Sequence, residues 1–167
     1  RHVICAPYEP DLPRLAAGLA AMGERAAAHG LSAVLEFFPW TVVPGLADAL
    51  RVVRATGRDD VGILVDALHL DRSDSPLALL AGAPLPFLHL CDAPRRPPYD
   101  EAALLHAGRA ERLPPGEGEI ALPALLAAAP PGIPLALAVP MTALAAEQGY
   151  EAVARRAIAG ARRLLQA

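Results

Sequence analysis

The chain has 167 residues, enough for one domain with a sizeable core, and 54% of them are hydrophobic. Its net charge of -3 comes from interspersed acids and bases without a basic stripe, which argues against a nucleic-acid partner. No apolar run approaches the roughly 20 residues that cross a bilayer and no signal peptide opens the chain, so neither a membrane partner nor export is expected. The two cysteines, Cys5 and Cys91, lie in apolar runs and read as reduced core thiols of a cytoplasmic protein.

A short apolar run, a polar switch and an amphipathic helical stretch recur along the chain. The apolar runs are HVICAP (2–7), SAVLEFF (32–38), VGILVDA (61–67), PFLHLCDA (86–93) and PLALAVP (134–140). They are short, nearly continuous and partly β-branched, as strands buried on both faces of a parallel sheet require. Alternation of such strands with helices predicts βαβ units in one α/β domain spanning 1–167.

The first helix is capped by Asp11 and carries Pro13 in its first turn. Leu12, Leu15, Leu19, Met22 and Ala26 follow helical spacing, and Gly30 ends it. A second helix is predicted over 45–56, with Leu46, Leu50 and Val53 inward and Gly57 as its stop. A short third lies near 75–81 and a fourth over 121–128. The last runs from about 145 to 166, with Val153, Ile158, Leu164 and Leu165 inward and Arg155, Arg156, Arg162 and Arg163 on a solvated face near its end. Residues 93–119 break the rhythm. So long a connection in a compact domain is expected to be functional or disordered, with room for a short helix near 100–108.

Ligands of parallel α/β folds bind beyond the carboxyl ends of the strands. Glu36 ends the second run, Asp66 the third with His69 just beyond, and His89 and Asp92 the fourth. Isolated carboxylates cost several kcal/mol in an apolar site, and a divalent cation would offset that cost. Carboxylate and imidazole together suit Mn²⁺, Co²⁺, Zn²⁺ or Mg²⁺. His69, past the strand, reads as a partner for a substrate hydroxyl. Asp92 reads equally as an orienting partner of His89 or as a ligand.

The stretches VLEFFPWTVVPGLADAL, VGILVDALHLDRSDSPL, FLHLCDAP and ERLPPGEGEIAL resemble the xylose isomerase-like TIM barrels of the sugar phosphate isomerase/epimerase family, in order and spacing, over residues 3–165. The resemblance implies that the five strands are the fourth to eighth of a (β/α)₈ barrel. A whole barrel needs about 250 residues, so some three βα units would precede this segment. Arg1 in place of Met fits the C-terminal part of a longer protein. An arc of five strands leaves open edges, and poor solubility, self-association into a homo-oligomer or dependence on the preceding units is the expected consequence.

The resemblance also implies roles. Glu36, Asp66 and His89 fall on three metal ligands, and His69 on the histidine that contacts substrate. The fourth ligand, a second glutamate, falls on Ala138, so this chain lacks one ligand and one of the two acid/base carboxylates. The implied activity is metal-dependent isomerisation or epimerisation of a sugar or sugar phosphate, by removal of a proton beside a carbonyl through an enediolate. Glu36 and His69 would be catalytic. Apart from the resemblance, the planar fork of Arg96, Arg109 or Arg112 in the long loop would clamp a phosphate or carboxylate, and Glu117 would touch substrate or, with Glu119, stand in for the missing ligand where water would otherwise fill the open position. Alternatives are a dehydratase of a polyol or keto acid on the same scaffold, and a degenerate relative without activity. An abasic-site endonuclease would need more histidines and a basic face. A flavodoxin-like binding module would need a glycine-rich loop after the first strand, where CAPYEPDLP has none.

Overall fold

In the computed structural model, which describes residues 1–166, five parallel strands pair in chain order as one curved half-barrel. They are β1 (His2–Cys5), β2 (Ser32–Glu36), β3 (Val61–Asp66), β4 (Leu88–Leu90) and β5 (Leu135–Leu137). The helices are α1 (Leu12–Ala28), α2 (Leu46–Ala55), α3 (Ala67–Arg72), α4 (Glu101–Arg109), α5 (Leu122–Ala128), α6 (Thr142–Gln148) and α7 (Tyr150–Gln166), with a 3₁₀ turn at Leu77–Leu80. Strand after crossover helix after parallel strand is the arrangement that the alternating pattern predicts.

The core fills the space between sheet and helices. Leu35, Ile63 and Leu88 of the central strands meet Leu15 and Leu19 of α1, Leu46 and Val53 of α2, and Leu125 of α5. β2 and β3 are buried along nearly their whole length. Burial on both faces does not extend to β1 and β5, which alternate or face solvent because they are the edges of the arc. Ile4 is 47% exposed and Leu137 38% exposed for this reason.

Helix α1 begins where its cap predicts: the Asp11 carboxylate accepts from Arg14 N at 2.8 Å. Several expectations change. The run 61–67 ends in a helix not foreseen there, α3, because the Asp66 carboxylate accepts from Leu68 N at 2.9 Å and caps it. The final helix is two, since Gly149 at φ +82° turns the chain between α6 and α7. The turn rotates the inward stripe of α7: Ile158 and Leu165 are exposed, while Ala157 and Gly160 face the body. A Cβ on Gly160 would stand 2.8 Å from Pro115 O, so α7 lies directly on the loop before α5.

That loop is pinned at several points. The Asp92 carboxylate, almost fully buried, accepts backbone N–H bonds from Ala93 at 2.9 Å and from Gly116 and Ile120 at 3.0 Å. Arg156 and Arg163 of α7 are not merely solvated, because each donates to Glu117 at 2.8 Å. Arg72 of α3 donates to Pro94 O at 2.7 Å and lies 4.2 Å over the Tyr99 ring. Residues Glu111 to Leu113 run antiparallel between the ends of β4 and β5, through bridges Asp92–Leu113 and Glu111–Met141.

Candidate metal and acid–base site

All strands are parallel, so their carboxyl ends share one rim. Glu36 is the last residue of β2 and Asp66 the last of β3, where it pairs in register with His89 of β4. His89 Nδ1 lies 3.6 Å from Glu36 Oε1 and 3.6 Å from Asp66 Oδ2. His69, one turn into α3, brings its Nε2 to 4.0 Å from Glu36 Oε1. Ligand atoms of Glu36, Asp66 and His69 fall within 4.8 Å of one another. Two carboxylates and two imidazoles thus converge on this rim.

The donor set suits a divalent cation. The Glu36 carboxylate faces both imidazoles at distances beyond hydrogen-bond length, and His69 Nδ1 is buried without a hydrogen-bond partner among the described residues. Buried polar atoms left open in this way are ready for an ion or a substrate hydroxyl. Burial holds the His69 imidazole neutral, despite the pull of Asp66. Burial also opposes ionisation of Asp66, but His89 and Arg112 outweigh it and keep the carboxyl well below its usual range.

Arg112 is the residue whose position the sequence hides most. It sits in the long loop yet is only 6% exposed. Its Nη1 donates to Asp66 Oδ2 at 2.7 Å, to Ala138 O at 2.9 Å and toward Cys91 Sγ at 3.3 Å, and its Nη2 donates to Gly108 O at 3.0 Å. Cys91 follows His89 by two residues, so both point to the same side of β4 and its extension, a period-2 signal available in the sequence. Burial and the nearby Asp66 push its thiol up to about 12, so it stays protonated.

Arg96 and Arg109 are exposed, and the Arg96 backbone N donates to Tyr99 Oη at 2.7 Å. Glu117 is tied to α7, and the Glu119 carboxylate accepts from Arg95 N at 2.7 Å. Asp92 organises the loop rather than His89. Ala138 lies just beyond β5, its N–H bonded to Leu90 O at 3.1 Å. An aromatic wall borders the cluster: Phe38 and Trp40 are stacked at 5.1 Å, and His69 meets both edge-on at 4.8 and 5.3 Å. Two grooves of about 580 Å³ between α1 and α2 and about 620 Å³ beside α6 and α7 lie away from these residues.

His89 gives the metal-free protein a pH dependence. Burial lowers its affinity for a proton, but the contacts with Asp66 and Glu36 prevail and raise its pKa from 6.5 to about 9. A raised folded-state pKa adds stability below the unfolded value that is lost on crossing the folded value. Unfolding free energy is therefore expected to fall by up to about 3 kcal/mol between pH 6.5 and 9. Urea titrations at pH 6, 7.5 and 9.5 measure this, and a His89→Asn variant should flatten the profile. Equal slopes for both proteins would remove His89 as the cause.

Comparisons with known proteins agree with this architecture. The family described as xylose isomerase-like TIM barrel matches residues 2–129. A solved structure of the IolI protein with a bound zinc atom superposes with a TM-score of 0.79 at 21% identity, covering 96% of this chain and 61% of that one. An L-ribulose 3-epimerase gives 0.61 at 18% identity, covering 99% and 64%. The probable 3-DHS dehydratase AsbF from Bacillus anthracis gives 0.65 at 15% identity, covering 81% and 56%. The chain thus spans less than two thirds of each of these structures. No curated protein matches it. On the match over residues 2–129 and the half-barrel of five parallel strands, the chain belongs to the xylose isomerase-like TIM barrel family.

Proposed function

We propose that this chain carries the catalytic rim of a divalent-metal-dependent enzyme that moves a proton beside a carbonyl of a sugar or sugar phosphate. The observation that carries the reading is the convergence of Glu36, Asp66, His69 and His89 at the ends of adjacent parallel strands. Solved neighbours that include epimerases and a structure with bound zinc support it. Glu36, Asp66 and His89 would hold the ion, with His69 beside them. When bound, the ion would supply polarisation of the substrate's carbonyl and hydroxyl oxygens and so acidify the adjacent C–H.

Glu36 is the base. It takes the proton from the carbon beside the carbonyl and returns it after the electrons have rearranged through the enediolate. Neutral His69 orients a substrate hydroxyl, and exposed Arg96 and Arg109 are the cations left for a phosphate, since Arg112 is engaged with Asp66. Ala138 stands where the resemblance places the second acid/base carboxylate. A single base returns the proton to the face from which it came, which favours transfer to the neighbouring carbon over inversion at one carbon. A dehydratase acting on a polyol or keto acid starts with the same abstraction and is the second reading, supported by the single base and by the dehydratase among the neighbours.

The test is solvent exchange. With Mn²⁺ in D₂O, D-ribulose, D-fructose and their phosphates are followed by NMR for exchange beside the carbonyl. Exchange dependent on Mn²⁺ and reduced about 10²- to 10⁴-fold in Glu36→Gln is expected. Exchange indifferent to Glu36 sinks the assignment, and loss of water instead of exchange selects the dehydratase.

A further inference from the structure

We propose that Arg112 is a built-in competitor for the cation: a divalent ion takes the Asp66 carboxylate only by displacing the guanidinium from it, so Arg112 sets the metal affinity of the site. The inference rests on the reading of Glu36, Asp66 and His89 as the ion's ligands. Asp66 Oδ1 is turned to Leu68 N as the cap of α3, and the oxygen facing His89 is Oδ2. That same oxygen accepts from Arg112 Nη1 at 2.7 Å. An ion bound there at the usual distance of about 2.0–2.2 Å would share one oxygen with a like charge. Both lie in a site shielded from water, where like charges repel most.

Displacement is nevertheless within the geometry. Of the oxygens that Arg112 meets, Asp66 Oδ2 is the charged one, while Ala138 O and Gly108 O are backbone carbonyls. Gly108 lies in the last turn of α4, whose carbonyl end favours a cation. The guanidinium can keep these two carbonyls while releasing the carboxylate. Arg112 Nε, buried without a partner among the described residues, shows that the fork is not fully satisfied where it stands. A merely structural ion pair makes the opposite prediction, because losing it would loosen Asp66 and weaken any ion bound there.

The experiment measures Mn²⁺ affinity by EPR at fixed pH for the 167-residue chain and its Arg112→Met, Arg112→Lys and Glu36→Gln variants. Arg112→Met is expected to bind Mn²⁺ about tenfold more tightly or better, a difference of 1.4 kcal/mol. Arg112→Lys should fall between it and the parent, because an ammonium lacks the planar fork that spans all three oxygens. Thermal melts should show a larger Mn²⁺-induced rise in Tm for both variants. Equal or weaker binding by the folded Arg112→Met protein overturns the proposal. If that variant does not fold, Arg112→Lys decides alone, and binding no tighter than the parent overturns it. Glu36→Gln separates the two readings. Binding that survives in it means the ion sits elsewhere and the site assignment fails. Binding lost in it but unchanged by Arg112 substitution rejects the competitor role only.

Discussion

Asp66→Asn is expected to destabilise the fold by about 3–5 kcal/mol and to abolish divalent-ion binding in the same step. The asparagine oxygen can still accept from Leu68 N, so the cap of α3 survives. The charge does not survive. Arg112, 6% exposed, would keep its guanidinium in the protein with carbonyls but no carboxylate beside it. Breaking a buried pair from one side is far costlier than the pair's net worth, because the remaining charge has lost both water and partner. Urea denaturation at pH 7 of the metal-free proteins measures the difference. A change below about 1 kcal/mol, the scale of an exposed pair, would mean that water reaches Arg112 and that its burial does not govern the site.

Asp92→Ala carries the second large effect. Three backbone N–H groups converge on its carboxylate, from Ala93, Gly116 and Ile120. The Ala93 and Ile120 donors are buried, and each unsatisfied buried donor costs about 1–3 kcal/mol, so a loss of about 2 kcal/mol or more is expected. The damage should be local as well as global. Gly116 and Ile120 lie on the loop that carries Arg112 toward Asp66 and packs under α7, so amide exchange should accelerate across residues 111–120 before it does in β2 and β3. Asp92→Asn keeps one acceptor oxygen and should cost less. Comparable exchange in both variants and the parent would show that the loop is held instead by Glu117 and the α7 arginines.

The contrast between Asp66 and Asp92 shows how far sequence reading reaches. Both close an apolar run, and both look like candidate ligands. One stands beside two imidazoles, while the other is enclosed by backbone N–H groups of a loop more than twenty residues downstream. Nothing local to Asp92 records that loop's return. Arg112 is the same case inverted: in a loop rich in arginine and proline it reads as a clamp for a substrate's phosphate or carboxylate, and only the antiparallel bridges to Asp92 and Met141 carry it inward to Asp66. Glu117, placed at the substrate by its motif, is turned instead toward α7 by two arginines some forty residues on.

What the sequence by itself determined is whatever depends on short-range periodicity and chemistry. Apolar runs of strand length, the Asp11 cap and the glycine stops are local, so the five parallel strands and the extents of α1, α2, α4 and α5 were legible, as was the series of acids and imidazoles at the strand ends. Tertiary structure alone decided which of those groups meet. The edge positions of β1 and β5, the bend at Gly149 that turns Ile158 outward, and the pairing of Arg112 with Asp66 depend on contacts between residues far apart in the chain. Their energies come from burial and charge neutralisation, which no window of neighbouring residues contains.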